Sequence, residues 1–83
     1  MAATEQLKEV TLVTNLGVVA GEILTYLEEN GATSLNILIS KLESSSRMVV
    51  MAVGSLIRQG LVVGVQRGWE IIVEPSAGYG QAV

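Results

Sequence analysis

The chain predicts an α+β fold, a three-helix bundle closed by a C-terminal β-hairpin. Three observations predict it. Apolar residues recur at helical spacing in three successive segments between Leu16 and Ile57. After Gly60 the pattern changes to short runs rich in β-branched residues, Leu61 to Val65 and Trp69 to Val73, with Gly68 between them. The 83 residues leave room for one domain, and a chain of this size buries only about 60–70% of the surface its unfolded form exposes. Leu, Ile and Val supply the efficient core this demands, because 49% of the residues are hydrophobic and Phe is absent.

Residues 1–14 form an arm that supports two elements. Thr4 can cap a helix carrying Leu7 and Val10, the better fit at its start, whereas Val10 to Thr14 is a largely β-branched run suited to a strand. The compact domain then covers residues 15–75. Leu16, Ala20, Ile23, Leu24 and Leu27 line one helical face, Glu28, Glu29 and Asn30 end it, and Gly31 stops it. Gly21, inside this helix, is expected to permit close helix packing.

Ala32 and Thr33 leave space for one or two strand residues. Ser34 then offers a cap for a short helix whose Leu35, Leu38, Ile39 and Leu42 follow at i, i+3, i+4 and i+7. Glu43 to Ser46 make a turn, and Ser44, Ser45 or Ser46 can cap the third helix. In that helix Val49, Ala52, Val53 and Leu56 point inward with Ile57 beside them, and Gly60 ends it. Helix, four-residue turn and helix make a helix-turn-helix. The hairpin that follows is a wing, expected to turn through a three-residue loop, Gln66-Arg67-Gly68, with the glycine in the left-handed conformation. The small, polar tail at 76–83 is expected to attach loosely.

Composition removes several function classes. The chain has no Cys and no His, so disulfides, thiolate metal sites, cysteine nucleophiles and the usual general base near neutral pH are lacking. No two carboxylates stand at a spacing that suggests a hydrolytic or metal-binding pair, and Glu28 and Glu29 read as a solvated helix end. The expectation is a non-enzyme without cofactor or metal. No apolar run approaches the roughly 20 residues of a membrane helix, and the acidic N-terminus lacks the features of a secretory signal. A cytoplasmic protein with no membrane partner is expected.

The net charge of −3 is unevenly spread. From Lys41 to Arg67 four basic residues face Glu43 alone, a net of +3, whereas the rest of the chain sets Lys8 against seven glutamates, a net of −6. The basic segment coincides with the helix-turn-helix and the wing. In a DNA-binding member of this architecture the third helix enters the major groove. Its outward positions are Arg47, Val50, Met51, Gly54, Ser55 and Arg58. Arg47 and Arg58 suit phosphates or base edges, Ser45 and Ser46 can donate to a phosphate near the helix N-terminus, Lys41 can reach a phosphate, and Arg67 lies at the wing tip. Each has a plainer role as a solvated side chain or a cap.

Val50, Met51, Gly54 and Ser55 point instead to a protein surface. A mid-helix glycine costs about 1 kcal/mol relative to alanine. Gly54 therefore implies a close approach, either by the arm or tail of the same chain or by a partner. Trp69, the single tryptophan, is expected to anchor the wing root against the core rather than to stack on bases.

Two stretches, Ala20-Gly21-Glu22-Ile23-Leu24-Thr25-Tyr26-Leu27 and Ala52-Val53-Gly54-Ser55-Leu56-Ile57-Arg58-Gln59-Gly60, resemble a family of small, stand-alone prokaryotic winged helix-turn-helix proteins of uncharacterised function. The likeness covers residues 15–75. It departs where Leu24 and Ser55 stand, since members often carry Trp at both positions. The resemblance implies the architecture and an inferred DNA-binding role, and some members look like homodimers. Two functions are thus expected: a transcription-regulator type of module on duplex DNA, or a protein-interaction or homodimerisation module using the outer face of helix three.

Overall fold

A computed structural model describes residues 11–76. Helix α1 spans Leu12–Asn30, strand β1 Thr33–Ser34, helix α2 Leu35–Lys41, helix α3 Ser46–Gln59, strand β2 Val62–Arg67 and strand β3 Glu70–Pro75. The strands form one antiparallel sheet in the order β1-β3-β2. Three helices and this sheet are the winged-helix arrangement that the sequence pattern predicts.

Helix α1 begins four residues before its apolar stripe. Thr11 caps it: the hydroxyl accepts from the Thr14 amide at 3.2 Å, and the Asn15 amide donates to the Thr11 carbonyl at 3.1 Å. Val13 and Thr14 thus join the first helical turn, because β-branching costs a helix only a few tenths of a kcal/mol. The expected helix start near Thr4 and the tail beyond Ser76 lie outside the described residues. The buried line on α1 is Val19, Ile23 and Leu27, with Leu16, Ala20 and Leu24 half-buried beside it. Gly21 corrects an expectation. It is exposed, and a Cβ built there would meet no other atom within 4 Å, so among the described residues it mediates no helix packing.

The caps of α2 and α3 share one geometry. The Ser34 hydroxyl accepts from the Ile37 amide, and the Ser45 hydroxyl from the Met48 amide, each at 3.2 Å. Of Ser44, Ser45 and Ser46, Ser45 is the cap: its backbone is extended, at φ −64° and ψ 155°, and Ser46 is already the first residue of the helix. Gly60 ends α3 in the left-handed conformation at φ 80°. Its amide donates to the Ile57 carbonyl and that of Leu61 to the Leu56 carbonyl, which together form a Schellman stop.

The core gathers Val19, Ile23 and Leu27 from α1, Leu38 from α2, Val49, Ala52, Val53 and Leu56 from α3, Val62 from β2 and Val73 from β3. Val73 sits in the central strand, opposite Thr33 on one side and Gly64 on the other. Buried Thr33 satisfies its hydroxyl by donating to the Gly31 carbonyl at 2.8 Å. Ile57, expected beside the inward stripe, lies outside it and is exposed. Its Cδ1 would stand 3.1 Å from a Cβ at Gly64, so the glycine lets the end of α3 pack beneath the wing.

The wing turns elsewhere than expected. Arg67 pairs with Glu70, so the loop is Gly68 and Trp69 alone, and Val65 stands opposite Ile72. Gly68 has φ 59°, and among the described residues none other than glycine has positive φ. That is the signature of a type II′ turn, which takes glycine first and an ordinary residue second.

Candidate nucleic-acid interface

The turn from Leu42 to Ser45 sets α3 on the surface of the bundle, and four buried residues, Val49, Ala52, Val53 and Leu56, fix which side faces out. Arg47 and Arg58 are eleven residues apart, three turns of about 3.6 residues each, so they share that outer side roughly 16 Å apart along the axis. Gly54 falls between them on the same line. All three are exposed, and nothing among the described residues comes within 4 Å of a Cβ at Gly54. The helix therefore offers a saddle, a bare backbone between two guanidinium groups.

Val50 and Met51 flank this line in the N-terminal half, 47% and 41% exposed, and with Ser46 and Arg47 they edge a shallow apolar groove. Ser55 departs from the expected grouping. It is half-buried, accepts from the Gln59 side-chain amide at 3.0 Å, and lines a second groove with Val13, Leu16, Gly17 and Ala20 of α1. It belongs to the α1–α3 seam, not to the ridge that carries Val50, Met51 and Gly54.

The other two cations among the described residues stand on different elements. Lys41 is the last residue of α2 and Arg67 the last of β2, both exposed. Among the described residues, none of Lys41, Arg47, Arg58 and Arg67 is held by a hydrogen bond or ion pair. Their charges are available to an anionic ligand. Ser45 spends its acceptor on the helix cap while its hydroxyl proton remains free, and Ser46 follows it, exposed, in the first turn.

Trp69 overturns its expected role as a wing-root anchor. It is the second residue of the wing turn and fully exposed, at 101%. The reason is the register: once Val62 and Val73 face the core, the strands run on to Arg67 and Glu70, and the tryptophan falls in the loop. The local signal is incomplete. A Gly-X pair such as Gly68-Trp69 can make a two-residue turn between strand-like runs, but nothing local selects it over Arg67-Gly68.

Among the described residues no group of three or more His, Cys, Asp or Glu could hold a metal ion, and no helix is long and apolar enough to cross a membrane. No curated protein and no solved structure matches the chain. A family model described as "Winged helix-turn-helix domain (DUF2582)" matches residues 11–75, from the cap of α1 to the end of the wing. The chain therefore belongs to this winged helix-turn-helix family, whose function is unknown.

Proposed function

We propose that this winged-helix domain is a cytoplasmic, non-catalytic module of the transcription-regulator type that binds duplex DNA through α3 and the wing. One observation carries the reading: Arg47 and Arg58 stand in line on the exposed side of the second helix of the helix-turn-helix, without partners among the described residues, across the exposed backbone of Gly54. Two cations about 16 Å apart along one helix suit the phosphate walls of a major groove, and an absent side chain between them lets the helix approach the base edges. Lys41, Ser45, Ser46 and Arg67 add contacts at the edges of the same region. An acidic chain with so few cations binds weakly as a monomer.

Because the attraction is mostly counterion release, affinity for a duplex should fall as salt rises. Replacing Arg47 and Arg58 together by alanine should reduce the slope of log K against log salt by about 2. Fluorescence anisotropy of a labelled duplex over a salt series measures this. Binding that ignores salt, or no binding at low salt, would overturn the reading.

The exposed pair Val50 and Met51 favours a second reading, in which the same ridge joins two copies of the chain. Light scattering should then give the mass of a dimer, and Met51→Glu a folded monomer. A monomeric wild type at high concentration removes this reading.

A further inference from the structure

Trp69 is the largest exposed apolar side chain among the described residues, and at 101% exposure it is not buried against any of them. Its surroundings say what it fits. The rung beneath it is the pair Arg67 and Glu70, the next pairs Gln66 with Ile71, which is 40% exposed, and half-buried Val65 stands one rung further back. A protein contact built on a tryptophan usually sits at the centre of an apolar patch ringed by polar groups. Here one flat ring stands at the end of a narrow ribbon, whose two strands lie about 4.8 Å apart, and Ile71 two rungs behind it is too small an apolar neighbour among the described residues to complete such a patch. A membrane surface is disfavoured as well, because the chain carries −3 and glutamate follows the ring directly.

The ribbon is rooted on α3 by Ile57 beneath Gly64, and from there four further residues carry it to the turn at Gly68, a reach of roughly 13 Å. The turn is thereby tethered to the same helix that carries Arg47 and Arg58. The minor groove of DNA is about 6 Å wide, too narrow for a helix but open to one aromatic ring, and apolar wedges in it unstack a base step. An indole carries no charge, so a contact made by Trp69 adds affinity that salt does not screen.

We infer that Trp69 is the wing's own DNA-binding residue, its indole entering the minor groove beside the major groove that α3 occupies. This rests on the DNA-binding reading above. The two arginines supply the salt-dependent part of the affinity, and Trp69 supplies a salt-independent part.

The chain has one tryptophan, so its intrinsic fluorescence reports this side chain alone. The probe is a mixed-sequence duplex of about 20 base pairs. Adding it should shift the emission to shorter wavelength and shield the indole from acrylamide. Trp69→Ala should weaken binding about ten-fold without changing the salt slope, and Trp69→Phe should weaken it less. Both variants should keep the wild-type melting temperature, because the ring is fully exposed.

If the wild type binds the duplex with salt dependence while Trp69 stays open to acrylamide and Trp69→Ala binds as well, the inference fails and the arginine reading stands. If the wild type binds no duplex at all, both fall. Shielding that grows with protein concentration in the absence of DNA would put Trp69 between copies of the chain and overturn the inference.

Discussion

Truncating Ile23 to alanine is expected to destabilise the domain by about 3 kcal/mol, the usual cost of removing a large aliphatic side chain from a sealed core. For a domain of this size that is a fall in melting temperature of roughly 12–24 °C. Ile23 has no exposed surface, lies midway along the buried line of α1, and α1 packs against both α3 and β3. The cavity left by its side chain has rigid neighbours on several sides and cannot close by moving one loop. The control is Val50→Ala on the exposed ridge of α3, for which a change within about 0.5 kcal/mol is expected. Thermal denaturation followed by circular dichroism tests both. Equal effects from the two substitutions would mean that α1 does not bury the face described here.

The second large effect is expected at Val73. Aspartate there should abolish the cooperative folding transition, because an unpaired charge would be placed at a position with no exposed surface, at a cost of several kcal/mol in a domain with only about 5–15 to lose. The position has no spare direction. Its backbone is flanked by β1 and β2, opposite Thr33 and Gly64, and its side chain lies in the core. Ile71, two residues earlier on the same face, is 40% exposed, and Ile71→Asp should leave a folded protein with a modestly lower melting point. The contrast marks where the core ends and the free part of the wing begins. A sharp melt for Val73→Asp near the wild-type temperature would contradict the assigned register.

The helices were legible because their signals are local. The spacing of Leu35, Leu38, Ile39 and Leu42, the cap at Ser34 and the glycine stop at Gly60 each involve residues within two turns of one another, and the observed elements follow them closely. Choosing among Ser44, Ser45 and Ser46 needed the backbone, since any of the three hydroxyls can accept and the choice depends on where the first helical residue falls, at Ser46. The candidate site was legible in the same measure. Arg47, Gly54 and Arg58 align because a helix of known phase carries them, whereas Ser55 lies close enough to the boundary of the buried face that the position of α1 decides its surroundings.

By itself, then, the sequence determined a winged helix-turn-helix, the inward faces of its three helices and a basic segment concentrated in α3 and the wing. Tertiary structure alone decided the register of the wing, and with it the place of Trp69. The run from Leu61 to Val73 accommodates more than one hairpin, since β-branched residues occur at both parities and both Arg67-Gly68 and Gly68-Trp69 can bend. What selects among them is long-range: burying Val62 and Val73 against the helices, together with pairing Thr33 to Val73, outweighs keeping one tryptophan out of water. The residue that seemed destined for the core is thereby left exposed at the tip of the wing.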